Sequence, residues 1–136
     1  LGIRCETLKV SLRDDSTESE SKLWMAEDAF GYEHDIATFK NRWNPTKRKN
    51  ILIVDDINDT GATFNWIKQD WQASCLPDHS DVWEKVWGKN VRFAVLTDNL
   101  ASEFDQCVNY CCHSVNKTEK DVWLVYPWEN VGQYNA

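Results

Sequence analysis

A run of four branched apolar residues, 51–54, is followed at once by two aspartates and then by a turn at Gly61. An unbroken apolar run of this length is typical of a strand that is covered on both faces in a parallel sheet. After the turn, apolar residues recur at helical spacing, at Phe64, Ile67, Trp71 and Cys75. The sequence therefore predicts a central strand at 51–54, a loop, and an amphipathic helix over 62–75.

Other segments extend this α/β pattern. Alternating apolar residues predict a strand at 6–12 with one buried face, and apolar runs predict further strands or terminal segments at 91–96, 108–115 and 122–126. A short helix is expected over 81–87, ended by Gly88, with Trp83 and Trp87 packing on one face. The alternation of strands and helices predicts a single α/β domain over 1–136, with a mostly parallel central sheet flanked by helices.

The segment 14–49 is polar and acidic at its start, and it reads as a long excursion from the sheet. Short ordered pieces are allowed for at 24–30 and 36–43. A connection of this length with little regular structure is usually functional or disordered. We expect a flexible loop that closes over a ligand, with plain disorder as the alternative.

Charge and hydropathy exclude some classes of partner. The formal net charge of −7 argues against a general affinity for nucleic acid, which requires a basic surface. An anionic ligand would therefore need help from backbone amides or a metal. No apolar run approaches the ~20 residues that span a bilayer, and no signal segment opens the chain, so we expect a cytoplasmic protein without a membrane partner.

The five cysteines are odd in number and lack the paired spacing of a zinc site. We expect reduced thiols, as in cytosolic proteins. Cys107, Cys111, Cys112 and His113 lie close together in the sequence and could form a metal cluster. Because apolar residues interleave them, we favour a packing role for these cysteines.

The chemistry is expected at the end of the 51–54 strand. Asp55 and Asp56 follow it, and ligands of open α/β sheets bind beyond the carboxyl ends of strands. Adjacent carboxylates can accept hydrogen bonds from vicinal hydroxyls and help to hold a divalent cation. The turn that follows brings free amides and two hydroxyls to a helix N-terminus, which suits a phosphate monoester. Its residues are Asp59, Thr60, Gly61, Ala62 and Thr63.

This strand, acidic pair and Asp-Thr-Gly-x-Thr turn resemble the phosphoribosyl pyrophosphate loop of the type I phosphoribosyltransferase family. A receiver domain or a nucleoside triphosphatase also places acidic residues after a strand, but neither requires the turn that follows here. The resemblance implies the Rossmann-like fold of that family. It also implies that Asp55, Asp56 and the 59–63 turn bind ribose 5-phosphate.

The segment 121–129 resembles the carboxyl-terminal purine-binding segment of xanthine-guanine and hypoxanthine phosphoribosyltransferases, and residues 1–4 resemble the part before their second core strand. The resemblance implies a small hood at 116–136, in which Trp123 stacks on a purine and the backbone of Leu124 faces the base edge. Packing is the alternative role for Trp123.

Further roles follow from the same resemblance. Asp56 and Glu129 would hold Mg²⁺, with Glu129 near the pyrophosphate. Asp59 would act near N7 of the base as the proton acceptor, and hence as the catalytic residue. The alternative for Asp59 is a helix cap.

The sequence departs from the family in two places. Asn99 stands near the position where related enzymes have a lysine that meets the purine 6-oxygen, and it could hydrogen-bond to the base there, but without charge. Val125 stands where some relatives have an acidic residue that contacts the purine 2-substituent. The family's upstream strand and pyrophosphate-binding loop have no counterpart before residue 1, so we expect part of the pyrophosphate site to be lacking.

The resemblance implies transfer of ribose 5-phosphate from phosphoribosyl pyrophosphate to a 6-oxopurine, with Mg²⁺ as cofactor and a homodimer or homotetramer as the assembly. Two alternatives stay open. One is a module that binds phosphoribosyl pyrophosphate or a nucleotide without turnover. The other is transfer to a base that is not a purine, such as orotate or uracil.

Overall fold

The computed structural model describes residues 2–10, 19–35, 40–75, 80–118 and 127. Within them the helices are α1 (Leu23–Phe30), α2 (Ala62–Ser74) and α3 (Ser80–Trp83). The strands are β1 (Tyr32–Asp35), β2 (Lys40–Trp43), β3 (Ile51–Asn58), β4 (Val91–Asn99) and β5 (Tyr110–Val115). A turn of 3₁₀ helix covers Pro45–Lys47.

Strands β3, β4 and β5 form a parallel sheet in that order. Ile51 pairs with Val91, and Ala94 pairs with Tyr110. The chain is thus an α/β protein with a three-stranded parallel sheet flanked by helices, as the sequence predicts, and this arrangement is consistent with a Rossmann-like fold. In the described part of the chain β4 lies between β3 and β5, so 51–54 belongs to an edge strand there and not to the predicted central one.

One face of the sheet builds the hydrophobic core. The β4 side chains alternate along the strand, and Val91, Phe93 and Val95 are 5% exposed or less. Helix α2 packs on this face, with the rings of Phe64 and Phe93 4.8 Å apart. The residues that predict the helical periodicity, Phe64, Ile67, Trp71 and Cys75, are all buried. The predicted α2 and its buried face are therefore confirmed.

The opposite face of β3 is open in the described structure. Leu52 is 53% exposed and Val54 is 69% exposed, whereas Ile51 and Ile53 on the other face are half-buried against the core. The prediction that 51–54 is covered on both faces is therefore wrong for the described chain. An apolar run indicates a strand well, but it does not indicate how many layers pack against it.

An aromatic cluster fills the space beside α2. The rings of Trp83 and Trp87 stack with centroids 5.3 Å apart, and that of Trp71 lies 5.8 Å from that of Trp87. Trp83 is fully buried and Trp87 is 4% exposed, so their predicted packing role is confirmed. Helix α3 is shorter than the predicted 81–87, because turns follow Trp83 up to Gly88, which has φ +76°.

The segment predicted as a long loop contains regular structure where it is described. Helix α1 confirms the ordered piece at 24–30, and it ends at Gly31, whose N–H donates to Glu27 O. Ala26, Ala29 and Phe30 are fully buried, so α1 belongs to the core. Strands β1 and β2 pair antiparallel, and β2 falls in the predicted piece 36–43. The segment thus holds a helix, two paired strands and a turn of 3₁₀ helix where it is described, whereas residues 14–18 and 36–39 lie outside the described residues. Closure of this segment over a ligand stays a prediction.

The strand predicted at 6–12 is also corrected. Residues 6–10 are described and form no strand, although Lys9 O accepts a hydrogen bond of 2.7 Å from Glu20 N. Leu8 and Val10 are half-buried against the core. Alternating apolar residues here reflect one packed side of an irregular segment. Among the described residues, no helix is both long and apolar enough to cross a membrane.

Candidate functional site at the carboxyl edge of the sheet

The acidic pair lies within β3 and not after it. The strand continues to Asn58, so Asp55 and Asp56 occupy its last half. The N–H of Asp56 donates to Asp55 Oδ1 at 2.8 Å, so the Asp55 carboxylate lies against the backbone of Asp56, and the two carboxyl groups interact. Both side chains are half-buried. The structure therefore brings the two predicted carboxylates together near the carboxyl edge of the sheet.

Asp55 has an unusual affinity for a proton. Burial raises the pKa of Asp55 from its ordinary 3.8 to about 6, and the neighbouring Asp56 carboxyl adds to this rise. The hydrogen bond from the Asp56 N–H acts in the opposite sense and lowers it. Two close carboxylates cannot both ionise without cost, so the pair holds a proton more readily than an isolated aspartate does.

The turn after β3 opens into the N-terminus of α2. Gly61 occupies the N-cap with φ +90°, and α2 has no side-chain cap. The first hydrogen bond of the helical pattern is the one that Gly61 O accepts from the N–H of Asn65, at 3.0 Å. The N–H groups of Thr63 and Phe64 precede that bond and have no intrahelical acceptor. The Ala62 N–H before them donates to Thr60 Oγ1 at 3.2 Å, so two amides of this turn are open, and anion binding there stays a prediction.

Gly61 is required by protein packing as well as by backbone geometry. A Cβ added there would run into Phe104 N and would lie 2.8 Å from Phe104 Cα. The strand-to-helix turn is also tied to the same loop, because Glu103 N donates to Thr60 O at 2.8 Å. The 103–104 backbone therefore lies against Gly61, on the side where a Cβ would point.

Asp59 forms an ion pair that sequence reasoning missed. Its Oδ1 lies 2.8 Å from Nζ of Lys117, which follows β5. The side chain of Asp59 is 43% exposed and that of Lys117 21%. The alternative in which Asp59 caps α2 is wrong, because the N-cap is Gly61 and has no side-chain cap bond.

Asn99, the residue predicted to meet the base, is 7% exposed and fully engaged by backbone groups. Its Nδ2 donates to Asp59 O at 2.8 Å, and its Oδ1 accepts from the N–H groups of Ala101 and Lys117, both at 3.1 Å. These three bonds join the turn after β3 to the segments after β4 and β5. For Asn99 to contact a purine, its side chain would have to leave them.

A second buried amide stands at the same edge. Asn58 is 4% exposed, and its Nδ2 donates to Asp98 Oδ1 at 2.9 Å and to Ser102 Oγ at 2.8 Å. Sequence reasoning missed Asn58, although a polar residue that ends an apolar strand was the available signal. Lys117 carried no local signal, because its role depends on strand pairing.

The predictions for the C-terminal hood and for the cysteines have different outcomes. Trp123, Leu124 and Glu129 lie outside the described residues, as does the rest of the predicted hood except 116–118 and 127. Cys107, Cys111 and Cys112 are exposed, so their expected packing role is wrong, and within the described ranges no three His, Cys, Asp or Glu residues are grouped to hold a metal. Nε2 of His113 instead lies 3.1 Å from Thr97 Oγ1.

Comparisons with protein-family models, with curated proteins and with solved structures found no match to this chain.

Proposed function

We propose that this chain is a phosphoribosyltransferase-like protein that binds a 5-phosphorylated ribose at the carboxyl edge of its sheet. One observation carries the proposal. The acidic pair Asp55-Asp56, the Gly61 turn and the uncapped N-terminus of α2 follow one another along the chain, and they leave carboxylates and free amides on the same edge. A diol needs acceptors and a phosphate monoester needs donors, so a ribose phosphate matches both halves.

In this proposal each half of the site has a distinct task. Asp55 and Asp56 accept hydrogen bonds from the ribose hydroxyls, and their charge stabilises a sugar that becomes cationic as pyrophosphate leaves. The N–H groups of Thr63 and Phe64 and the hydroxyl of Thr63 hold the 5-phosphate, whereas the Ala62 N–H donates to Thr60 Oγ1 at 3.2 Å. Positioning and electrostatics would supply most of the rate enhancement, because the reacting carbon needs no protein nucleophile.

The donor set fits Mg²⁺ in a limited way. The described residues offer the two adjacent carboxylates of Asp55 and Asp56, and Mg²⁺ commonly takes one or two carboxylates and completes its shell with water and phosphate oxygens. Asp56 is the residue we assign to the cation, with Glu129 as the second ligand that the family resemblance implies. When bound, Mg²⁺ would offset the negative charge of the leaving pyrophosphate.

The acceptor in this proposal is a 6-oxopurine, with Trp123 stacking on the base and Leu124 at its edge. Asp59 would take the proton from the base, and for that its carboxylate has to part from Lys117. The ion pair is exposed enough for a ligand to displace it. Asn99 stays a predicted base contact, opposed by its three backbone bonds.

The test of the binding site is calorimetric titration of the full chain with inosine or guanosine monophosphate in the presence of Mg²⁺. The informative variant is Thr63→Val, which removes one hydroxyl from the turn and keeps the shape of the side chain. Thr46→Val, in the 3₁₀ turn away from this edge, is the matched control. We expect binding by the wild type and by the control, and a loss of about tenfold in Thr63→Val, which is worth about 1.4 kcal/mol.

Absence of heat with either nucleotide, together with absence of a shift in the melting temperature, would contradict the proposed ribose-phosphate site. A ligand at 100 times its dissociation constant raises the unfolding free energy by about 2.7 kcal/mol, which a thermal melt resolves easily. Equal binding by Thr63→Val and the wild type would place the phosphate elsewhere.

The second candidate is a module that binds the phosphorylated sugar without turnover. The ion pair between Asp59 and Lys117 favours it, because the carboxylate proposed as the proton acceptor is already neutralised by a cation. Incubation with phosphoribosyl pyrophosphate, Mg²⁺ and hypoxanthine or guanine distinguishes the two, since only the enzyme forms the nucleoside monophosphate and pyrophosphate. Orotate and uracil in parallel reactions test transfer to a base other than a purine.

A further inference from the structure

The buried amide of Asn99 fixes both ends of one ion pair. Its Nδ2 holds the carbonyl of Asp59, and its Oδ1 holds the N–H of Lys117. Asp59 and Lys117 are also the two residues whose side chains meet at 2.8 Å. One side chain, that of Asn99, therefore holds the backbone of both partners in position, so the ion pair is built into the fold.

The surroundings of the pair are strongly acidic. Asp55, Asp56 and Asp98 lie along the last residues of β3 and β4, at the same edge as Asp59. A phosphate ester that enters here meets several carboxylates, in a chain with a formal net charge of −7. Repulsion between like charges in a partly desolvated site opposes such a ligand unless a cation stands beside it.

Lys117 is positioned to be that cation. Its ammonium contacts Asp59, which begins the turn that leads to Gly61 and the first amides of α2. The side chain is 21% exposed, so it is held near the surface and remains within reach of an incoming ligand. An ammonium on a flexible stem can exchange one anionic partner for another without backbone movement.

Resting on the proposed function, we propose that Lys117 is a further ligand-binding residue. When the substrate binds, the Lys117 ammonium parts from the Asp59 carboxylate and pairs with phosphate or pyrophosphate oxygens of the substrate. Asn99 is the positioning residue that presents Lys117. The exchange frees the Asp59 carboxylate at the moment when the anionic ligand arrives. The site is thereby selective for phosphorylated sugars over neutral ribose.

The first test compares binding of ribose 5-phosphate to the full chain and to Lys117→Met, Lys117→Arg and Lys49→Met. Lys49 is the matched control, because its Nζ lies 3.2 Å from Asp28 Oδ1 just before β3, at the opposite end of that strand. We expect Lys117→Met to weaken binding at least tenfold, Lys117→Arg to stay within about threefold, and Lys49→Met to bind as the wild type does. Raising the salt concentration should weaken the wild type more than Lys117→Met.

The second test addresses Asn99 through a double-mutant cycle with Asn99→Ser. If Asn99 acts by presenting Lys117, Asn99→Ser weakens ribose 5-phosphate binding in the wild type but changes it by less than twofold in the Lys117→Met background. A purely structural role for Asn99 would instead give the same loss in both backgrounds. Circular dichroism on each variant verifies that the compared proteins are folded.

The outcomes separate the two proposals. If the wild type binds ribose 5-phosphate and Lys117→Met binds it equally well, the role of Lys117 is overturned and the proposed function survives. If the wild type and Lys117→Arg both fail to bind, the proposed function falls and the role of Lys117 falls with it. Equal losses for Asn99→Ser in both backgrounds overturn the positioning role alone.

Discussion

Gly61 packs directly against the backbone of Phe104, so close that a Cβ at Gly61 would lie 2.8 Å from Phe104 Cα. The same glycine has φ +90°. Gly61→Ala should therefore carry two costs, about 1–2 kcal/mol for the left-handed backbone and about 1–3 kcal/mol for the clash. Urea unfolding should show a fall of about 2–5 kcal/mol in the unfolding free energy.

Gly88 provides the control for this prediction. It has φ +76°, but an added Cβ would meet only Asn109 Nδ2, at 4.0 Å. Gly88→Ala should therefore lose only the conformational part, about 1–2 kcal/mol. Equal losses in the two variants would mean that the contact with Phe104 has no energetic weight. Because Gly61→Ala harms the fold itself, loss of ligand binding in that variant would say little about the ligand site.

The strand-loop-helix unit could be predicted from sequence because its signals are local. The helical spacing of Phe64, Ile67 and Trp71 fixes α2, and the branched run before Asp55 fixes the start of β3. Those two elements place the acidic pair and the Gly61 turn at one edge. The part of the site formed by residues that are close together in the sequence could thus be predicted.

The rest of the site could not be predicted because it depends on which strands pair. Asn99 and Asp59 meet across 40 positions of sequence, and Lys117 joins them only because β5 lies beside β4. The open face at Leu52 and Val54 was missed for a related reason, since layer coverage is a property of tertiary packing. Helix α1 was expected only as a short ordered piece, because it lies in a segment that is otherwise polar.

The pair formed by Lys68 and Asp105 should respond asymmetrically to substitution. Lys68 Nζ lies 2.6 Å from Asp105 Oδ1, yet the lysine side chain is 8% exposed and the aspartate side chain 62%. Asp105→Ala leaves a buried ammonium without its partner and should cost about 1–3 kcal/mol. Lys68→Met leaves a solvated carboxylate and a well-filled core, and should change the unfolding free energy by less than about 1 kcal/mol. Equal losses in urea unfolding would contradict this asymmetry.

The two buried tryptophans Trp83 and Trp71 should also differ. Trp83 Nε1 donates to Cys75 O at 2.9 Å, whereas Nε1 of Trp71 has no hydrogen-bond partner among the described residues. Replacement by phenylalanine removes similar volume at both sites, but only Trp83→Phe also deprives a carbonyl of its donor. We expect Trp83→Phe to be less stable than Trp71→Phe by about 1 kcal/mol. Thermal melts with the two variants side by side measure the difference, and the reverse order would refute the assignment.

The raised pKa of Asp55 predicts how stability depends on pH. Burial first, and the neighbouring Asp56 carboxyl second, raise this pKa to about 6, whereas the unfolded chain has the ordinary value near 3.8. The folded state therefore binds the proton more tightly, so this stabilisation is complete below about pH 4 and is lost as the pH rises through about 6. Because Asp55 is partly exposed, solvent screening should limit the loss to about 1–2 kcal/mol.

Urea unfolding of the wild type, Asp55→Asn and Asp81→Asn between pH 4 and pH 7 tests this dependence. The contribution of Asp55 should fall with rising pH in the wild type and in Asp81→Asn, whose substituted aspartate is exposed on α3. It should vanish in Asp55→Asn, because the amide does not ionise. The proposed Mg²⁺ binding at the same pair requires the ionised form, so any Mg²⁺ affinity should weaken below about pH 6 and binding should release protons there. If the unfolding free energy of Asp55→Asn changed with pH as that of the wild type does, a group other than Asp55 would govern the pH dependence.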